Sequence, residues 1–318
     1  MKIIILDGYT LNPGDISWHD IEQLGQVTVY DRTPADLIVE RIGDAEIVLT
    51  NKTPITAQIL EQCPSIKFIG VLATGYNVVD IQAARQKNIA VSNVPSYSSM
   101  SVAQLSTALL LELCHHVGEH SNDVHSGSWA NSIDFCYWNS PLIELMGKKL
   151  GLIGYGQIGS AFAKVALALG MEILVYTPSQ KKGIEQPNLH VVSLDQLLAE
   201  SDVISLHCPL TAQNTGMINQ SNIAKMKDGV MLINTSRGGL IVEQDLADAL
   251  NSGKVAGAGV DVLSVEPPSK NNPLLSARNC IITPHIAWAP KEARLRLMEI
   301  TVENVKRYIA GNPQNVVN

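Results

Sequence analysis

Lys149-Leu-Gly-Leu-Ile-Gly-Tyr-Gly-Gln-Ile-Gly159 reads as a short apolar strand, a glycine-rich turn and the opening of a helix that continues to about Leu169. In a G-x-G-x-x-G run at such a junction, Gly154 permits the tight turn and Gly156 lets a pyrophosphate approach the backbone. Gly159 lets the helix pack closely on the strand. The helix start adds unpaired N–H donors and a positive dipole end, which brings Gln157 and Ile158 into the same anion cradle. The fingerprint alone is a weak signal. Its strand-turn-helix setting gives it weight, and the competing reading is a turn that binds nothing.

Outward from Leu150, strand-like runs near Leu150–Ile153, Glu172–Tyr176, Val203–His207, Val230–Asn234, Gly257–Val260 and Cys280–Thr283 are separated by amphipathic segments. That alternation predicts a doubly wound parallel sheet. A second series precedes it: Ile3–Leu6, Val27–Tyr30, Ile47–Thr50, Phe68–Leu72 and Ile89–Ser92, alternating with segments such as Leu37–Ile42 and Ala57–Gln62. Ser99 or Ser101 is placed as the N-cap of a long helix running to about His116–His120. Residues 126–141 have no period and carry Trp129, Phe135, Tyr137 and Trp138, the pattern of an exposed arm that meets a second subunit or a substrate mouth. A final helix starts after Pro290 and runs through Leu295, Met298, Val302 and Val305.

Composition sets the class. The 318 residues are 46% hydrophobic and 17% charged, with 23 basic against 30 acidic residues for a net charge of −7. That is the balance of a globular chain with two cores. No basic stripe points to nucleic acid or an anionic membrane, and no apolar run approaches the roughly 18 residues of a spanning helix. The chain opens on the strand-like Lys2–Leu6 rather than a leader, so a cytoplasmic location is expected. The five cysteines, Cys63, Cys114, Cys136, Cys208 and Cys280, are odd in number and lack a C-x-x-C pair, which suits reduced, buried thiols. His116 and His120 have metal-ligand spacing without an H-E-x-x-H pattern or an acidic third ligand, and no metal is expected.

Three polar residues follow successive strands of the later half. Arg237 stands before two glycines in Asn234-Thr-Ser-Arg-Gly-Gly239, Glu266 before two prolines in Gly259-Val-Asp-Val-Leu-Ser-Val-Glu-Pro-Pro268, and His285 within Pro284-His-Ile-Ala-Trp288. Ligands bind outside the carboxyl ends of the strands in such sheets, so the three are expected to converge beside the glycine cradle. A guanidinium can hold a carboxylate through two parallel hydrogen bonds. A carboxylate behind an imidazole favours the imidazolium and orients the ring, which suits protonation of an alkoxide as hydride arrives at a ketone. Singly, each residue also has a bland reading: a structural ion pair, a solvated loop, a strand-end histidine.

The residue that should meet the adenosine ribose stands roughly 20 positions past the glycines, where NAD-specific sites carry an acid. This chain has Thr177, followed by Ser179, Lys181 and Lys182, which could serve a 2′-phosphate. NADP or NAD is therefore expected, with the 2′-phosphate tolerated.

Taken together, Gly154–Gly159, His207-Cys-Pro-Leu-Thr211, Asn234–Gly239, Gly259-Val-Asp-Val262 with Glu266-Pro267, and Pro284-His-Ile-Ala287 resemble the D-isomer-specific 2-hydroxyacid dehydrogenases over essentially the whole chain. Ala73-Thr-Gly-Tyr-Asn-Val-Val-Asp80 and Asp134-Phe-Cys-Tyr-Trp138 look most like their glycerate dehydrogenase and hydroxypyruvate reductase branch. The resemblance implies a flavodoxin-like substrate lobe of residues 1–98 plus 288–318, a Rossmann dinucleotide lobe of residues 99–287, a cleft between them, and a homodimer. It implies that Arg237 binds the substrate and that Glu266 and His285 are the acid/base pair. Asp261 would meet the nicotinamide carboxamide. His207, Cys208 and Pro209 would line the adenosine side, and Thr235 and Ser236 join the cofactor set. Thr74 and Gly75 would offer N–H groups to the substrate carboxylate, with Lys52 and Trp288 at its mouth. The expected reaction is NAD(P)H-dependent reduction of hydroxypyruvate or glyoxylate to the D-2-hydroxy acid. D-lactate or broad 2-oxoacid reduction, or a dinucleotide-sensing corepressor role, are the alternatives.

Overall fold

The computed structural model describes residues 1–178 and 186–318. The chain forms two compact units, Met1–Ser98 with Trp288–Asn318, and Ser99–Ala287.

In the first unit, β1 (Lys2–Ile5), β2 (Gln26–Val29), β3 (Ile47–Thr50), β4 (Phe68–Val71) and β5 (Ala90–Ser92) pair in parallel in the order β2-β1-β3-β4-β5. Short helices α1 (His19–Glu22), α2 (Ile38–Ile42), α3 (Ala57–Gln62) and α4 (Ile81–Gln86) make the crossovers. Side chains alternate across a strand, and the core divides accordingly. Ile4, Leu6, Val48 and Ile69 pack with Ile38, Ile42, Leu60 and Ala84 on one face. Ile3, Ile5, Ile47, Leu49 and Phe68 occupy the other.

The second unit begins at α5 (Ser99–His115) and α6 (Val117–His125). The long helix expected to reach His116–His120 is thus two helices. His116 adopts a left-handed φ of 48°, and the Glu112 side chain accepts the Gly118 N–H at the start of α6. Ser99 is the first helical residue rather than its cap, and Ser101 lies in the first turn.

Next come β6 (Lys149–Ile153), α7 (Gln157–Ala168), β7 (Glu172–Tyr176), β8 (Leu189–Val191), α8 (Leu194–Glu200), β9 (Val203–Leu206), α9 (Gln220–Lys225), β10 (Val230–Asn234), α10 (Glu243–Ser252), β11 (Val255–Val260) and β12 (Cys280–Ile282). All these strands pair in parallel, in the order β12-β11-β10-β9-β6-β7-β8. Strand order reverses between β6 and β9, which puts the switch point at the glycine turn. β8 was not anticipated from the sequence. A three-residue strand is too short to show periodicity. Leu150, Leu152, Ile173 and Val175 face α5 and α7, while Ile204, Leu206 and Leu232 face the α8–α10 side.

The last helix, α11 (Lys291–Ile309), belongs to the first unit. Ala293, Leu297, Met298, Val302 and Val305 bury against the β1–β3–β4 face. Leu295, expected on that stripe, is 41% exposed, because the buried face runs through 294, 297, 298 and 301 instead. Among the cysteines, Cys63 and Cys114 are buried and Cys208 and Cys280 half-buried, but Cys136 is exposed on the arm, contrary to the expectation of buried thiols. Trp129, Ile133, Phe135 and Trp138 are all exposed there as well. Among the described residues, no helix is long and apolar enough to cross a membrane.

Candidate active site

His285, Glu266 and Arg237 follow β12, β11 and β10, three strands adjacent in the sheet. Their loops leave the same edge of the sheet. His285 Nδ1 lies 2.6 Å from Glu266 Oε2, and Glu266 Oε1 accepts the N–H of Leu263 at 3.1 Å. One carboxylate therefore ties its own loop and orients the imidazole. A Cβ on Gly238 would run into the backbone of Leu263 and Ser264, so the Arg237 turn packs directly on the loop that carries Glu266. Only glycine allows that approach. Arg237 is exposed and, among the described residues, takes part in no ion pair. One Nη1 donation to the Ser236 carbonyl at 2.7 Å turns its head, leaving the rest of the fork available for a planar anion.

His285 has a φ of 53°, a left-handed conformation that costs a side-chain-bearing residue about 1 kcal/mol or more. Asp261 holds it there. This carboxylate is 1% exposed and accepts the N–H groups of Ile286 at 2.9 Å and Ala287 at 2.8 Å, with the Thr283 hydroxyl at 2.5 Å. That clamp was not legible in the sequence, where Asp261 read only as a contact for the cofactor. No local motif signals a carboxylate that caps a loop some 25 residues away.

At the switch point, a Cβ on Gly154, whose φ is 101°, would strike the carbonyl of His207, and one on Gly159 would lie 2.5 Å from the Gly154 carbonyl oxygen. Gly156, by contrast, faces open space at the start of α7. Gln157 opens the helix and accepts the Ser99 hydroxyl at 3.0 Å; Ile158 is half-buried. Burial pushes the imidazole of His207 down to about 4, which keeps it neutral. Its Nε2 lies 2.9 Å from Ser205 Oγ, while Nδ1 is buried with no partner. Ser236 donates its hydroxyl to the Cys208 carbonyl at 3.0 Å, and Thr235 Oγ1 lies 2.8 Å from Ser106 Oγ. Pro209 is exposed beside them, and Thr177 is half-buried just past β7. Ser179, Lys181 and Lys182 lie outside the described residues.

These features fit a dinucleotide. An open cradle at Gly156, the unpaired first N–H groups of α7 and an orphaned buried imidazole nitrogen are what a bound pyrophosphate and nucleoside would satisfy.

The residues expected to bind substrate outside this unit, Lys52, Thr74, Gly75 and Trp288, are all in the first one. Asp7, just past β1, accepts the N–H groups of Asn51 at 2.7 Å, Lys52 at 2.5 Å and Thr53 at 2.7 Å, which fixes the loop after β3. Lys52 lines a cavity of about 370 Å³ together with Asp7, Thr10, Arg32 and Thr53. Thr74 gives its hydroxyl to the Val94 carbonyl at 2.9 Å, and its own carbonyl accepts the Asn93 amide at 2.7 Å. Among the described residues, no backbone hydrogen bond uses the N–H of Thr74 or Gly75. Trp288 packs against the unit's apolar core beside α11. Of the two helix histidines, His120 Nδ1 lies 2.9 Å from the His116 carbonyl.

Residues 107–287 match the sequence profile of the D-isomer specific 2-hydroxyacid dehydrogenase NAD-binding domain. The chain is 58% identical, over 321 aligned residues covering all of both proteins, to a hydroxypyruvate reductase of Blautia hydrogenotrophica. The chain belongs to the D-isomer specific 2-hydroxyacid dehydrogenase family.

Within that family it is 43% identical to a glycerate dehydrogenase of Methylorubrum extorquens, with 99% of this chain and 98% of that protein covered. Among solved structures, an acyclic imino acid reductase in complex with NADPH and D-Arg superposes with a TM-score of 0.87 at 30% identity. D-2-hydroxyisocaproate dehydrogenase does so with a TM-score of 0.85 at 26% identity. Each covers essentially the whole chain. A D-2-hydroxyacid dehydrogenase is an oxidoreductase that uses a nicotinamide dinucleotide.

Proposed function

We propose that this dehydrogenase reduces hydroxypyruvate or glyoxylate to the D-2-hydroxy acid and catalyses the reverse reaction, with His285 as the proton donor. The pairing of His285 Nδ1 with Glu266 Oε2 at 2.6 Å carries the reading. The reduced nicotinamide, when bound, supplies the hydride. Residues of the chain do the rest. Glu266 holds the ring so that Nε2 addresses the substrate oxygen, and imidazolium gives that oxygen its proton as negative charge develops there. Arg237, with its fork, and the N–H groups of Thr74 and Gly75 are assigned to the substrate carboxylate, so that one face of the carbonyl is presented. Asp261 is read as the contact for the nicotinamide carboxamide as well as the clamp of the His285 loop. Trp288 and Lys52 limit the acceptor to a small 2-oxoacid.

Sequence identity to the Blautia hydroxypyruvate reductase favours this acceptor over lactate, since D-lactate dehydrogenase of Lactobacillus jensenii is 28% identical. Residues 99–287 are the dinucleotide lobe in this reading, and residues 1–98 with 288–318 the substrate lobe. His207 and Pro209 line the adenosine side. Thr177 in place of an acid, and the NADPH held by the imino acid reductase relative, support acceptance of NADPH as well as NADH. The exposed Trp129, Ile133, Phe135 and Trp138 suit a homodimer contact, and the enzyme is assigned to the cytoplasm. A nicotinamide absorbance assay with hydroxypyruvate, glyoxylate and pyruvate, each against NADH and NADPH, tests the proposal. The highest kcat/KM is expected with hydroxypyruvate or glyoxylate; preference for pyruvate, or no turnover of any, would overturn it.

A further inference from the structure

The chain leaves the second unit and enters the first between Ala287 and Trp288. A buried charged residue grips it on each side of that step. On the Ala287 side stands Asp261, which accepts the N–H groups of Ile286 and Ala287. On the other stands Arg294, 8% exposed, in the first turn of α11. Its Nε donates to the Ala289 carbonyl at 2.8 Å, its Nη1 to the Leu11 carbonyl at 2.9 Å, and Nη1 and Nη2 each to one oxygen of Asp15 at 2.7 Å. Trp288 is the residue between the last N–H held by Asp261 and the carbonyl held by Arg294.

A cation at that position is not what the helix alone would select. The first turn of a helix favours acidic residues, and the neighbours on the buried face, Ala293 and Leu297, are apolar. A buried ion pair is often no more stabilising than apolar residues of similar volume. What it supplies is geometry: a rigid fork that fixes two carbonyls and one carboxylate at once. Here the fixed points are the loop after β1 and the carbonyl that follows Trp288.

We propose that Arg294, paired with Asp15, is a positioning residue for the reduction: by holding the Ala289 carbonyl, four residues beyond His285, it fixes the stretch of chain that carries Trp288. The inference rests on the function proposed above. It separates two properties, because the glycine cradle lies wholly in the other unit. Loss of the fork should disturb the 2-oxoacid and leave dinucleotide affinity alone.

The test uses the full chain with Arg294→Gln, Arg294→Lys and Asp15→Asn, hydroxypyruvate as substrate, and dinucleotide Kd measured directly by fluorescence. Arg294→Gln is expected to lower kcat/KM on the order of 100-fold, chiefly through KM, with dinucleotide Kd changed by less than about twofold. Arg294→Lys should recover only part of the loss, since an ammonium cannot reproduce the fork. Asp15→Asn should lose about tenfold with the same division between KM and kcat. If Arg294→Gln does not fold, Asp15→Asn decides. Folded variants with wild-type kcat/KM, or a loss shared equally by dinucleotide Kd, would overturn the assignment. His285→Ala serves as control: its inactivity beside a fully active Arg294→Gln sinks this inference alone, whereas its full activity sinks the catalytic reading.

Discussion

Glu266 binds in two directions at once, Oε2 to His285 Nδ1 at 2.6 Å and Oε1 to the N–H of Leu263 at 3.1 Å. In the proposed reaction the first contact fixes which imidazole nitrogen faces the substrate, and the second stops the carboxylate from turning away. An amide keeps the shape but removes the carboxylate that accepts from the ring and orients it. Glu266→Gln should therefore lower kcat on the order of 100-fold or more while leaving dinucleotide Kd unchanged. Steady-state rates beside a fluorescence titration would show it, and a kcat close to that of the wild type would contradict the pairing.

Arg237 has no carboxylate partner among the described residues, and its turn is packed on the Glu266 loop by Gly238. Arg237→Lys keeps the charge and loses the fork. KM for hydroxypyruvate should rise at least about tenfold, with a smaller effect on kcat, as expected when binding and orientation suffer more than the chemical step. An unchanged KM would remove Arg237 from the substrate site.

Gly159 cannot take a Cβ without moving the Gly154 carbonyl, 2.5 Å away, and that carbonyl belongs to the turn. Gly159→Ala should cost about 2 kcal/mol of stability and weaken dinucleotide binding at least about tenfold. Urea unfolding and a dinucleotide titration measure the two losses separately. Tight binding in the variant would mean that the helix start does not carry the pyrophosphate.

Burial holds His207 near 4 in the native chain, while the unfolded chain takes a proton near the ordinary value of about 6.5. Between those values the unfolded state binds more protons than the native one, so stability falls as pH drops through the window and levels off below it. The loss attributable to this residue is up to about 3 kcal/mol. Unfolding free energies at pH values near 7 and near 4.5 should diverge by less in His207→Gln than in the wild type. Equal pH dependence in both would show that His207 protonates freely in the fold.

The sequence made the two parallel sheets and the glycine turn legible because they rest on local patterns: apolar runs buried on both faces, and glycines where a Cβ has no room. Family motifs likewise pointed to Arg237, Glu266 and His285, since each follows a strand and the sheet aligns strand ends. What escaped depends on distant partners. The break at His116 rests on Glu112 reaching forward to the Gly118 N–H. The left-handed His285 rests on Asp261, and the fork of Arg294 closes on Asp15 from the other end of the chain. Periodicity carries no trace of such contacts, and β8 is too short to have a period at all.

The central claim is that His285 delivers the proton while taking little part in holding the dinucleotide. Single-turnover reduction of hydroxypyruvate by His285→Ala, compared with the wild type at equal dinucleotide saturation, tests it most directly. The rate constant should fall by at least about 1,000-fold while dinucleotide Kd stays within about threefold of the wild type. A rate constant within about tenfold of the wild type would contradict the claim.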